Sequence, residues 1–322
     1  MNKRIEYIDR AKGIAIQLVV IGHLMAFCTD AEKNPIYTVI ASFHMPLFIF
    51  LSGLVLSTPP RLLKAVNKIV YLILPMVIIG LIFTYCIGKG YMDFITDNFK
   101  NGYWYLYVLS VYYMLLTVFN LTKRFKYSGV LDIVLAVIFF GSMKFLCLYL
   151  SKATNNLLSL DLCANLWPYF IGGHLIRKYR LIDTLLKADA PFAIALVLYI
   201  PLLLLYESGT FVRFSQVVSI TAIIGLLHLL YHRKDTTSRI ERGLTYLGKH
   251  TLDIYIFHYF LLQIIDIAGF GRWVAHSGNY LIELIALISL SIIVSLGCIG
   301  IGYVIRISPI LSKIIYGRFV KA

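Results

Sequence analysis

Lys12 and His23 stand eleven residues apart in a stretch, residues 4–23, that passes without a break from charged to apolar. On a helix that interval is about three turns, so both face one way, about 16 Å apart along the axis. A histidine this deep in an apolar helix is costly unless it meets a partner or a cavity. A neutral imidazole placed there can take a proton from a hydroxyl whose oxygen attacks an electrophilic carbon. Forming a covalent intermediate itself is its other use. Asp9 can orient Lys12 or Arg10 at the charged end, and on a straight helix it lies too far from His23 to be its direct partner.

A second histidine, His44, opens Phe43-His44-Met45-Pro46-Leu47-Phe48-Ile49-Phe50-Leu51-Ser52-Gly53. If the helix carrying it runs back antiparallel to the first, His44 and His23 reach similar depth in a hydrocarbon core about 30 Å thick. The two imidazoles could then share one cavity, with His44 the first candidate partner of His23. Each could equally do no more than hydrogen-bond a neighbouring turn. Pro46 frees a backbone carbonyl one turn earlier, and Ser52 and Gly53 allow close helix approach. His44 or Ser52 could donate to an oxyanion, and neither is singled out. Arg61, Lys64 and Lys68 follow with no acid among them. They read either as an orientation signal or as a seat for phosphate groups. Trp104 and Tyr105 start a later apolar run, as part of an interfacial aromatic belt or as a wall for a sugar ring. Asn165, Trp167, His174 and His228 carry weaker signals, the two histidines near helix ends where partial hydration costs little. Asp253 and His258 are five apart and share a helical face poorly, and His258 lies the deeper of the two.

The elements that must hold these residues are membrane helices. The chain has 322 residues, 59% hydrophobic and 14% charged, with mean hydropathy +0.80. Soluble domains carry about 25% charge. Ten apolar runs read as spans, over 13–29, 36–57, 68–88, 103–121, 130–150, 160–177, 190–206, 211–231, 250–270 and 279–305. The N-terminal stretch looks like a signal peptide but lacks a clear small-x-small cleavage site, so a retained helix is expected. Most of the 30 basic residues fall in alternate loops and at both ends, from Lys3, Arg4, Arg10 and Lys12 to Arg306, Lys313, Arg318 and Lys321. That alternation fits ten spans with both termini in the cytoplasm. It also argues against nucleic acid as the reason for a net charge of +14. No repeat or linker divides residues 1–322, so one domain is expected. The five cysteines form no CxxC pair and read as packing residues, with no metal site expected.

The ordered motifs resemble those of the acyltransferase-3 family of membrane acyltransferases. They are Arg4-x4-Asp9-x2-Lys12-Gly13-Ile14-Ala15-Ile16 with Gly22-His23, then Ser42-Phe43-His44-Met45-Pro46-Leu47-Phe48 and Leu51-Ser52-Gly53. Trp104-Tyr105-Leu106 and the run Leu247-Gly248-Lys249-His250-Thr251-Leu252-Asp253-Ile254-Tyr255-Ile256-Phe257-His258 complete them. Lys12, ten residues and His23 match the family's basic-x10-His motif. In detail the chain is most similar to fucose 4-O-acetylase-like sugar O-acetyltransferases. The family often has an arginine pair shortly before a proline in the third helix. Here the residues before Pro75 run Lys68-Ile69-Val70-Tyr71-Leu72-Ile73-Leu74, with Arg61 and Lys64 upstream.

The resemblance implies an all-α, polytopic enzyme of the bacterial inner membrane. It would move an acetyl or other acyl group from acetyl-CoA to a hydroxyl of a cell-surface carbohydrate or its precursor. His23, Lys12, Asp9 and His44 become the expected catalytic set. Arg10, Arg61, Lys64 and Lys68 are then expected at the CoA phosphates, and Ser52, Trp104, Tyr105 and His258 at the acceptor. Acyl-CoA, a carbohydrate and membrane lipid are the expected partners, with no metal and no nucleic acid, and a homo-oligomer stays open. A proton-coupled transporter or exporter also suits buried histidines, and a non-catalytic scaffold is the third reading.

Overall fold

In the computed structural model the described residues are 5–28, 34–207, 215–234, 238–264, 269 and 278–317. Lys3, Arg4, Arg318 and Lys321 lie outside them, as do residues 29, 211–214, 265–268 and 270 of the expected spans. Every regular element described is helical. In chain order the helices begin with α1 (Glu6–Cys28), α2 (Pro35–Leu54), α3 (Leu62–Cys86), α4 (Tyr91–Thr96), α5 (Trp104–Val118) and α6 (Ser128–Tyr149). They continue with α7 (Lys152–Leu158), α8 (Leu160–Lys178), α9 (Leu181–Lys187), α10 (Asp189–Glu207), α11 (Ser215–His232), α12 (Arg239–Lys249) and α13 (Thr251–Ile264). The long helix Tyr280–Ile307 and the short helix Pro309–Tyr316 close the chain.

Seven of these helices are long and apolar enough to cross a membrane, or eight if α9 and α10, bent by 68° at their junction, form one span. They make the chain an integral membrane protein. Of the ten expected runs, 160–177 forms α8, a helix too polar to count among the seven. Residues 250–270 supply α13, of 14 described residues. The first helix begins at Glu6, so the charged approach to His23 is itself helical. The chain also forms a helix, α12, where a basic loop was expected. Ser238 caps it, accepting from the Glu241 amide, while Glu241 accepts from the Ser238 amide.

The described chain forms two compact units, Met1–Val55 with Tyr179–Ile301, and Leu56–Lys178 with Gly302–Ala322. In the first, α1 and α12 cross with their backbones in contact. A Cβ on Gly13 would lie 2.1 Å from the Leu244 carbonyl oxygen, and one on Gly248 would lie 1.8 Å from the Asp9 carbonyl oxygen. Only glycine allows that approach. Further along α1, buried Gln17 donates to Ser295 Oγ at 2.7 Å and accepts from Ser291 Oγ at 2.8 Å. Away from water such polar pairs hold helices where apolar attraction between them is weak. Pro46 deprives the Ser42 carbonyl of its helical donor. Ser219 of α11 fills the vacancy, its hydroxyl donating at 2.6 Å.

The second unit has its own polar staples. Buried Asp132 takes Lys178 as an ion pair and the Thr122 hydroxyl at 2.6 Å. Lys100, 4% exposed, donates to the carbonyls of Ile95, Asp97, Asn156 and Leu157 at 2.8–3.0 Å. Trp167 and His174 spend their donors here too, Nε1 on the Ala136 carbonyl at 3.0 Å and Nδ1 on the Leu56 carbonyl at 2.8 Å. Asn165 accepts from Lys144 Nζ at 2.6 Å. Cys86, Cys147, Cys163 and Cys298 are free thiols.

The α1–α12 crossing makes a checkable demand. Even Gly248→Ala places a methyl on the Asp9 backbone, and overpacking of this kind costs about 1–3 kcal/mol. We expect a lower unfolding temperature in detergent for Gly248→Ala, and a smaller change for Gly141→Ala, where a Cβ meets nothing within 4 Å.

Candidate active site

Three histidines gather in the first unit, from α1, α2 and α13. The rings of His23 and His258 are 5.2 Å apart between centroids, and His23 and Tyr259 are 4.8 Å apart. The Tyr259 hydroxyl bonds His23 Nε2 at 2.9 Å. On α2, His44 presents its Nε2 to Gly22, the residue before His23; a Cβ on Gly22 would lie 4.0 Å from that nitrogen. The expected gathering of His23 and His44 is thus extended by α13, and the hydrogen-bond partner of His23 is Tyr259.

Backbone carbonyls settle the tautomers of two of the rings. His44 Nδ1 meets the Ile40 carbonyl at 2.8 Å. His258 Nδ1 meets those of Tyr255 at 2.8 Å and Ile254 at 3.1 Å. A carbonyl only accepts, so each Nδ1 carries the proton and each Nε2 keeps its lone pair. The Nε2 of His258 is buried without a hydrogen-bond partner among the described residues. A buried acceptor left unmet needs an explanation, and a hydroxyl-bearing ligand supplies one. Ser52 spends its proton on the Phe48 carbonyl at 2.9 Å, and His44 spends its own on Ile40. In this arrangement both hydrogens are directed at backbone carbonyls.

At the other end of α1, Lys12 is half-buried with its ammonium 3.8 Å from Asp9 Oδ1. Asp9 itself is buried. Arg10 is 1% exposed and donates to the Arg233 and Lys234 carbonyls at 2.6 and 3.2 Å. It also lies 3.8 Å from Glu6 and 3.6 Å from Glu241. It therefore ties α1 to the end of α11 and to α12. Asp253, buried on α13, meets His250 Nδ1 at 3.3 Å.

The remaining expected residues belong to the second unit. Arg61 precedes α3, and Lys64 and Lys68 follow in its first two turns, with no acid in the first turn. Arg61 and Lys64 are exposed; the Lys68 ammonium lies over the Tyr71 ring at 4.6 Å. Cations at a helix N-terminus, where backbone amides also point outward, suit phosphate. Trp104 opens α5, half-buried and edge-on to buried Tyr105 at 6.4 Å.

Tyr259 was not legible as a site residue. It follows His258 directly, but in a chain with 23 tyrosines one more carries little signal. Only the contact across 236 residues of sequence reveals it.

An acyltransferase-domain family model matches residues 5–300. Nodulation protein NolL of Mesorhizobium japonicum is 26% identical over 312 residues, covering 84% of this chain and 80% of that protein. No solved structure matches.

The unequal exposure of the two neighbouring rings gives a chemical test. His23 is half-buried and His258 is 0% exposed. Diethyl pyrocarbonate should modify His23 before His258, read by peptide mass spectrometry. Tyr259→Phe should speed the reaction at His23 by releasing the ring from its hydrogen bond.

Proposed function

We propose, from the premise that this chain belongs to the acyltransferase-3 family, that it is a membrane O-acyltransferase using acetyl-CoA. Its acceptor is a hydroxyl of a cell-surface carbohydrate or its precursor. The observation that carries the reading is His23 bonded to Tyr259 beside the unmet Nε2 of His258.

In this reading both termini are cytoplasmic and the chain spans a bacterial inner membrane ten times. Acetyl-CoA enters from the cytoplasm, with Lys12 as a cation for its phosphates in the first unit and Arg61, Lys64 and Lys68 as a phosphate seat in the second. Arg10 helps by fixing the entrance rather than by offering a free guanidinium. Lys12 to His23, about 16 Å, accommodates an extended pantetheine arm. His258 accepts a hydrogen bond from the acceptor sugar, and in the second unit Trp104 and Tyr105 are the aromatic residues suited to a sugar ring.

The proposed chemistry assigns His23 the Nε2–H tautomer. His23 Nε2–H donates to the Tyr259 oxygen, which leaves the Nδ1 lone pair for the acceptor hydroxyl. That hydroxyl oxygen attacks the thioester carbonyl carbon as its proton passes to His23 Nδ1. The carbon–sulfur bond then breaks, and the CoA thiolate leaves and takes the proton back from the imidazolium. Tyr259 keeps the ring oriented, and Asp9 holds Lys12 in place.

Purified protein in vesicles, given labelled acetyl-CoA and a glycan, tests the reading. His23→Ala should remove transfer by about 10²–10⁴-fold, the usual share of a general base; undiminished transfer overturns the base. Tyr259→Phe should lower kcat about tenfold and leave KM for acetyl-CoA unchanged. Mass spectrometry of surface glycans with and without the protein should show a shift of one acetyl.

The phosphate seat is tested separately. Arg61→Ala and Lys64→Ala should each raise KM for acetyl-CoA about tenfold, the worth of one charge-assisted contact, with kcat preserved. Changes confined to kcat would place the phosphates elsewhere.

A further inference from the structure

A second cluster of ligating side chains lies away from the histidines of acyl transfer, in the same unit. Asp189 opens α10 at the bend after α9. His228 and His232 are one turn apart at the end of α11. One potential ligand atom from each of the three lies within 4.8 Å of the others.

The hydrogen bonding of His228 is incomplete. It is 7% exposed, and its Nδ1 is buried without a partner among the described residues. Its Nε2 stands 3.6 Å from Asp189 Oδ1, longer than a hydrogen bond. Two donors of one tetrahedral zinc ion, each at about 2.0–2.1 Å, are about 3.4 Å apart. Phe192 stacks flat on the His228 ring, with centroids at 4.4 Å and planes 9° apart, and the His232 ring is 4.3 Å away. Asp189 and His232 are exposed, so their side chains can turn to close the set around an ion while His228 stays fixed.

We propose that Asp189, His228 and His232 form a binding site for a divalent transition cation, with zinc as the best fit. Two imidazoles one helical turn apart and a carboxylate give three borderline-hard ligands, and water completes the tetrahedron. A cation there also complements the negative end of α11. The ion fastens the start of α10 to the end of α11, on the far side of the bend from α9. This site does not depend on the acyl-transfer reading.

The test uses the full-length protein, stripped with chelator, reloaded with zinc and desalted. We expect one retained equivalent by mass spectrometry of the metal, and a raised unfolding temperature. Exposed His232→Gln and Asp189→Asn, which leave the buried residue intact, should each weaken retention at least tenfold and abolish the thermal shift. Cobalt should give d–d bands without sulfur charge transfer. No retained zinc in the unsubstituted protein overturns the site. So does equal retention by both variants, or a thiolate band, which would move the metal to the cysteines.

Discussion

The crossing of α1 and α12 at Gly13 and Gly248 is the contact on which the site depends. Backbone meets backbone there, so the two helices have no side chain through which to slip. From that point α1 runs ten residues to His23, and the other strand of chain runs ten residues, through the short break at His250, to His258. Equal counts at about 1.5 Å per residue give equal heights. The two imidazoles consequently meet at 5.2 Å between centroids, their planes tilted by 31°, with Tyr259 beside them. Arg10 ties the same stretch of α1 to the two carbonyls just beyond α11, those of Arg233 and Lys234.

Much of this was legible in the residues. The Lys12–His23 interval, the pairing of His44 with the first helix and the carbonyl freed by Pro46 all follow from helical geometry. Each has its counterpart in the fold, the last in the bond from Ser219. The resemblance to membrane acyltransferases was carried by the same residues, and the family match over 5–300 agrees with it. What was not legible has a common cause. Helix α12 is amphipathic and charged, and in a chain scanned for apolar runs such a segment reads as a loop. Helix α8 is polar for the opposite reason: Asn165, Trp167 and His174 meet partners inside the second unit. A tyrosine such as Tyr259 acquires meaning only when a distant helix supplies the atom it bonds.

Both units bury polar groups, and each leaves some of them unmet among the described residues. The first concentrates histidines, and the Nε2 of His258 and the Nδ1 of His228 are unmet there. In the second the Nε2 of His174 and the side-chain oxygens of Asn98 and Asn155 are unmet, beside groups that are fully served. Asp132 has both a cation and a hydroxyl, and Lys100 gathers four carbonyls much as a bound ion would. A fully satisfied network rigidifies what it joins.

The partners of α1 also bear on how the protein is made. Arg10 bonds carbonyls 223 and 224 residues later, and Gln17 bonds a serine 278 residues later. The Ser42 carbonyl of α2 waits for a hydroxyl 177 residues on. A ribosome delivers the first two helices long before any of these partners exists. During synthesis Gln17 of α1 therefore waits for its serine partners, and the last long helix completes the first. Assembly of this unit is a late, chain-spanning event, and His23 meets Tyr259 only after most of the chain is made.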